Sequence, residues 1–218
     1  MTDLYTPEQH RLQEAFGTQE LAAAHKALIV TEDIPEDHAA FITSRDFFFL
    51  STVNDRGEPT VSYKGGAPGF VRVVDSKTLI FPSYDGNGMF MSMGNITTTG
   101  KIGLLFMDFE TPHRVRVQAT ATAFTEGELL KEFPGAQMVV RAVVDSVFLN
   151  CGRYIHPHQR VSTSRHVPDD EGQQPLAAWK RIDELQAILP EADKGRAESE
   201  GGTITTEEYL EKVQRGEP

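Results

Sequence analysis

The sequence predicts a mainly β protein: an antiparallel barrel, closed or partly closed, of at least six strands with helices at both ends. Three observations predict it. The run His113-Arg-Val-Arg-Val-Gln-Ala-Thr-Ala-Thr-Ala-Phe124 places Val115, Val117, Ala119, Ala121 and Ala123 on one parity and Arg114, Arg116, Gln118, Thr120 and Thr122 on the other. Period two over this length is a half-buried antiparallel strand. The aromatic and β-branched run Phe47–Val53 meets a partner run, Glu58–Lys64, across the turn Asn54-Asp-Arg-Gly57, which is the pattern of a hairpin. Strand-like runs then recur along the middle of the chain, separated by tight turns and short helices.

The elements follow in order. Thr6-Pro7-Glu8 reads as an N-cap with proline at the first helical position, so a helix is expected over Pro7–Phe16 and a second over Glu20–Leu28. Pro35 opens a third, with Ala39, Ala40, Phe41 and Ile42 near its buried side. After the hairpin, short strands are expected at 71–74 and 77–82. A helix is expected over Asn87–Ile96, with Met89, Phe90 and Met93 at helical spacing. Lys101–Asp108 contains the apolar run Ile102-Gly-Leu-Leu-Phe-Met107, which suits a strand covered on both faces. The alternating strand comes next, then a short helix over 126–133 and a strand over 137–149. Beyond Pro168 the composition turns polar. Leu176–Leu189 reads as an amphipathic helix carrying the only tryptophan, Trp179, and 191–202 as a Gly-, Glu- and Ser-rich linker. Thr205-Thr-Glu-Glu208 reads as a capping box for a last helix. These elements divide the chain into a helical N-terminal extension, 1–40, a barrel, 41–167, and a helical C-terminal extension, 168–218.

Composition narrows the function. The 218 residues are 39% hydrophobic and 24% charged, as in an ordinary globular protein. A net charge of −11 argues against nucleic acid and anionic membrane surfaces as partners, both of which call for a basic footprint. A small anionic ligand remains compatible, because a few local cations can hold one against the overall field. The single cysteine, Cys151, excludes an internal disulfide framework and reads as an ordinary buried thiol. The polar start MTDLYTPEQH has no apolar signal core, and no apolar run approaches membrane-spanning length, so a cytoplasmic protein is expected.

The common catalytic signatures are missing: no G-x-G-x-x-G opening a helix, no phosphate-binding Walker loop, no G-x-S-x-G. His156-Pro-His158 has no acidic or thiolate cluster to complete a coordination sphere, so no metal site is expected. Three stretches carry ligand chemistry. Ser62-Tyr63-Lys64-Gly65-Gly66 ends a strand in a lysine and glycines. Phe81-Pro82-Ser83-Tyr-Asp-Gly-Asn87-Gly88 runs from a strand end into a helix start, where free N–H groups and the positive dipole end suit a phosphate. Arg114 lies on the polar face of the alternating strand. A solvated turn, a cap and a surface arginine would explain each separately. Their common position at the ends of neighbouring barrel strands is the reason to read them as one site.

This order of motifs resembles the FMN-binding split barrel of the pyridoxamine 5′-phosphate oxidase-like family. The resemblance spans about Phe41 to His156 and is carried by FFFLSTVNDRGEPTVSYKGG, TLIFPSYDGNGMFMSMGN, KIGLLFMDFETPHRVRVQATATAF and NCGRYIH. It is closer to a subgroup of uncharacterised flavin-binding members than to the vitamin B6 enzyme. It implies a six-stranded split β-barrel and a homodimer with FMN at the subunit interface. It also implies cofactor contacts at Ser62, Tyr63, Lys64, Pro82, Ser83, Asn87 and Gly88, with Arg114 near the flavin ring and Arg153 and Tyr154 on a C-terminal segment that reaches a flavin. The B6 enzymes carry an Arg-Lys pair at the helix start, where Asn87 and Gly88 stand here. Lys64, Ser83, Asn87 and backbone N–H groups would then take up the phosphate, while Gly65-Gly66 keeps side chains off the ring.

The function so implied is an FMN-dependent oxidoreductase passing hydride or electrons between a small substrate, NAD(P)H among the candidates, and an acceptor. Its catalytic acid and base are unassigned, with Tyr154 and His156 candidates by position only. The alternatives are the deazaflavin F420 in the same fold, a flavin or haem carrier or sensor, for which His113 and His156 are the histidines to consider, and a dimeric barrel without cofactor.

Overall fold

Antiparallel pairing joins eight strands into one sheet. The computed structural model describes residues 4–217, and the chain forms two units, Met1–Val161 and Ser162–Pro218. The first opens with helices α1 (Pro7–Ala15) and α2 (Gln19–Ile29), the short strand β1 (Val30–Thr31) and helix α3 (Glu36–Ser44). Then come β2 (Phe47–Val53), β3 (Pro59–Gly65), β4 (Arg72–Asp75) and β5 (Thr78–Tyr84). Helix α4 (Met91–Thr99), β6 (Lys101–Asp108), β7 (His113–Phe124), helix α5 (Glu128–Lys131) and β8 (Ala136–Leu149) complete it.

The sheet's path runs β3-β2-β6-β7-β8-β5-β4, with β1 added beside β8, and the end strands β3 and β4 do not pair with each other, so the curled sheet stays split. Two more short strands, β1 and β4, accompany the six longer ones. Alternation decides the faces. Phe48, Leu50, Leu104, Phe106, Val115 and Val117 point inward and are fully or almost fully buried. Phe48 anchors this core, its ring centroid 5.1 Å from Phe81, 5.2 Å from Phe106 and 5.8 Å from Phe70. Burial of such side chains, about 1.5–3 kcal/mol each, drives the curling of the sheet around them.

Helix α4 begins later than its spacing suggests. Gly88 has φ +75° and Phe90 φ +49°, so the backbone is left-handed just before the first turn and Met89 and Phe90 are exposed. Met93 and Ile96 still reach the core, as expected. The short helix expected over 126–133 contracts to α5.

The second unit corrects two expectations. Leu176–Leu189 is not one helix but two 3₁₀ turns, Ala178–Arg181 and Asp183–Ile188. Between them Ile182 is extended and forms a parallel bridge with Ile204, with Ile204 N–H donating to Arg181 O and Asp183 N–H to Ile204 O. That pairing outweighs the helical periodicity. The stretch 191–202 is not a linker. Asp193 is buried and accepts from Lys180 Nζ at 2.6 Å, and a short helix, α6 (Arg196–Ser199), buries Ala197. Helix α7 (Thr206–Gln214) starts with the expected capping box between Thr205 and Glu208.

Candidate functional site

Strand β3 displays Thr60, Ser62 and Lys64 on the inward face and Val61 and Tyr63 on the outward face. Helix α4 lies against the inward set through a polar stripe. Ser92 Oγ meets Ser62 Oγ at 3.1 Å. Asn95 Nδ2 donates to Thr52 Oγ1 at 3.0 Å and Thr60 Oγ1 at 3.3 Å, and those two hydroxyls lie 2.8 Å apart. Thr99 Oγ1 donates to Val53 O at 2.8 Å. These contacts set the direction of the helix. From Ser92 to Thr99 it follows β3 and β2 away from Lys64, so its N-terminal end faces the Lys64 end of the strand.

Lys64 is paired in register with the fully buried Phe48 and is itself half-buried. Burial holds its ammonium below the usual lysine range, and no carboxylate or other acceptor among the described residues meets it. No side chain caps the start of α4. Lys64 thus follows Ser62 by one inward-facing position on β3, while Ser92, in the uncapped first turn of α4, meets Ser62; a lysine and free helix-start N–H groups are the kinds of donor that suit a phosphate.

The other expected residues lie on β5, on its connection to α4, on the outward face and after β8. Ser83 lies at the half-buried end of β5, at a bulge against β8. Pro82 is buried and shares parity with Ile80, which packs with Phe133 and Val139 rather than with the central core. It stands past the last β4 pairing, where a strand tolerates a missing N–H. Asn87 is exposed and closes a local turn: its Oδ1 accepts from Met89 N–H at 3.1 Å. Tyr63 and Arg114 occupy the outward face. Tyr63 stacks on Phe47 at 5.3 Å, and its hydroxyl is pushed up by burial and by Asp46. Lys64 and Arg114, grouped in one site by the sequence, therefore belong to opposite faces of the sheet.

Arg114 heads an outward patch. Its Nε and the Oδ1 of Asn150, which follows β8, are buried without a hydrogen-bond partner among the described residues. Asn150 N–H reaches Arg114 O at 3.5 Å. The next residues turn sharply. Gly152 packs so tightly on Pro112 that a Cβ there would lie 2.4 Å from Pro112 O, and Ile155 N–H donates to Gly152 O at 2.9 Å. This turn displays Arg153 and Tyr154, the guanidinium 5.6 Å from the ring centroid and Tyr154 84% exposed. His158 N–H on Phe109 O and Arg160 Nε on Asp46 at 2.6 Å fasten the rest of the segment.

Cys151 is exposed rather than buried, because it lies in this turn beyond the strand. The backbone and side-chain N–H groups of Arg153, helped by the charges of Arg153 and Arg114, hold its thiol below the usual range. Gly66 has a packing role. A Cβ there would lie 2.4–2.7 Å from Phe70, so core packing requires glycine at this position.

Ser92, Asn95, Asn150 and the orphaned Arg114 Nε were not singled out from the sequence. The i, i+3, i+7 spacing of Ser92, Asn95 and Thr99 was the available signal, a polar stripe on a helix beside a Ser/Thr strand. Among the described residues, no cluster of three His, Cys, Asp or Glu side chains could hold a metal ion, and no helix is long and apolar enough to cross a membrane.

The sequence profile of the family described as pyridoxamine 5′-phosphate oxidase matches residues 34–169. The chain belongs to the pyridoxamine 5′-phosphate oxidase-like family, and its antiparallel sheet with peripheral helices is that family's split barrel. Among solved structures it is similar to HupZ of Group A Streptococcus, at 22% identity and a TM-score of 0.45, over 53% of this chain and 93% of that one. A putative pyridoxamine 5′-phosphate oxidase of Lactobacillus delbrueckii is 24% identical with a TM-score of 0.43, over 54% and 95%. An FMN-binding protein of Syntrophomonas wolfei is 15% identical with a TM-score of 0.39, over 64% and 97%. No curated protein matches the sequence.

Proposed function

We propose that the chain binds FMN as a homodimer and is an FMN-dependent oxidoreductase acting on a small substrate. The observation that carries this reading is the convergence of Lys64, half-buried and without a counter-charge among the described residues, with the uncapped start of α4 beside Ser62 and Ser92. A carboxylate or phosphate is the missing partner for such a lysine, and the phosphorylated tail of FMN supplies one. The donor set fits that group without the Arg-Lys pair of the B6 enzymes.

Each part of the chain has a task in this reading. Lys64 Nζ and the first-turn N–H groups of α4 hold the phosphate charge. Ser62 and Ser92 orient the helix start. Ser83 at the end of β5 and Asn87 on the β5–α4 connection are further hydrogen-bonding groups. Arg114 and Arg153, displayed on the outward face with Tyr154, set a positive potential where a partner subunit would bring its own flavin. A bound flavin supplies the hydride and electron transfer, and the protein supplies orientation and electrostatics. The orphaned Arg114 Nε and Asn150 Oδ1 support a ligand or subunit closing over that patch.

The test is a titration of the purified chain with FMN, followed by flavin fluorescence, alongside one with F420. Saturable FMN binding that weakens on Lys64→Ala supports the reading. Binding of F420 alone assigns the deazaflavin. Oxidation of NAD(P)H by the loaded protein with an acceptor separates an enzyme from a carrier.

A further inference from the structure

Helices α1 and α2 bury no residue at all. Leu12, Phe16, Leu21 and Leu28 are each more than half exposed, Phe16 and Leu28 at 78%. Helices of nine and eleven residues are marginal unless an apolar stripe is covered. The pair is nonetheless built as a unit: a capping box starts α1, and Tyr5 Oη donates to Ala22 O at 3.0 Å. Its apolar side awaits a cover.

The outward face of the sheet offers one. Register places Tyr63, Phe49, Leu105, Arg116, Phe148 and Val30 side by side across six strands, β3-β2-β6-β7-β8-β1. Tyr63 is exposed and the others are half-buried. Arg116 lies 5.5 Å from the Phe148 ring centroid, and neither it nor Arg114 meets a carboxylate among the described residues. The row ends at Val30, the residue that directly follows α2. The exposed helices are therefore rooted at the end of the exposed row. They also carry Glu14 and Glu20, which meet no cation among the described residues and complement Arg116 in the row.

We propose that this N-terminal helical pair is an exchange arm: in a dimer, each copy lays Leu12, Phe16, Leu21 and Leu28 on the outward aromatic row of the other. The inference rests on the homodimer of the proposed function and names the segment that holds it together. Two-fold symmetry repeats the contact, so each copy covers the other's row and has its own covered.

Sedimentation velocity of the full chain over a dilution series tests it. The doubly substituted arm variant Phe16→Asp/Leu28→Asp changes exposed residues only, so the fold survives, as circular dichroism verifies. Its dimer dissociation constant is expected to rise at least ~10-fold, because apolar anchors dominate such interfaces. Arg116→Glu is expected to weaken the dimer, and Glu14→Lys/Glu20→Lys added to it to restore the affinity. An arm variant that dimerises like the wild type, or a reversed charge set that fails to recover, overturns the arm while leaving the FMN dimer standing. A wild-type chain that is monomeric throughout and still binds FMN overturns both arm and dimer but keeps the cofactor. A monomer that binds no FMN overturns the proposed function as well.

Discussion

The hydroxyls of Ser62 and Ser92 meet at 3.1 Å, and through this contact helix α4 is aimed at the end of β3 that carries Lys64. Neither serine is a strong ligand. Their pairing joins an edge strand to a helix start and brings a lysine and a helix dipole to one corner.

Removing the lysine charge tests that corner directly. A charge-assisted hydrogen bond to phosphate contributes about 1.5–3 kcal/mol, so Lys64→Ala is expected to weaken FMN at least ~10-fold, measured by flavin fluorescence. Affinity is also expected to fall as the pH rises through the lowered Lys64 pKa, since only the protonated ammonium balances the phosphate. An unchanged affinity removes Lys64 from the site.

Asn95 locks α4 to both strands of the hairpin by donating to Thr52 and Thr60. Asn95→Ala removes both bonds and leaves the buried Thr52 with one partner fewer. A loss of about 1–2 kcal/mol in urea unfolding is expected. FMN affinity is expected to fall too, although Asn95 touches no cofactor, because the helix start loses its alignment.

The two glycines after Lys64 separate by their neighbours. Gly66→Ala drives a methyl group into Phe70, a core ring stacked on Phe48, and an overpacking cost of about 1–3 kcal/mol is expected. Gly65→Ala meets only the ring of Tyr63, at 2.9 Å, an exposed side chain whose shift leaves the buried core in place. Its thermal midpoint is expected to stay close to the wild type. Equal losses at the two positions would contradict the packing role of Gly66.

His38 gives the fold a pH dependence. Only 7% exposed, with Nδ1 unpartnered among the described residues, it is held below its ordinary value of 6.5 by burial and by His113 against the opposing pull of Asp37. The folded state therefore disfavours the imidazolium. Its contribution is full above the unfolded value near 6.5 and is lost as the pH falls through the lowered folded value. Unfolding midpoints at pH 7.5 and 5.5, both round test values of about one unit either side of the unfolded pKa, are expected to differ more for the wild type than for His38→Gln.

The barrel was legible wherever its signal was local. Phe47–Val53, Lys101–Asp108 and His113–Phe124 have the boundaries their patterns imply, since alternation between core and solvent is written into successive residues. Leu176–Leu189 failed because its helical spacing loses to the Ile182–Ile204 bridge, a contact across the unit that no window of residues contains. The site was legible in composition but not in arrangement. Lys64 and Arg114 were both visible as cations at strand ends. That they face opposite sides of the sheet follows from the register of β2, β3, β6 and β7, which exists only once the strands are paired. Cys151 was misplaced for a related reason: the strand ends two residues before it, and the turn that exposes it depends on Gly152 fitting against Pro112.

The most direct test is a visible absorption titration of the 218-residue chain with FMN, run in parallel on Lys64→Ala. Saturation at one flavin per chain, with perturbed flavin bands and at least ~10-fold weaker binding by the variant, is the result predicted from a phosphate held at the β3–α4 corner. Spectra that remain those of free FMN at every protein concentration would contradict it.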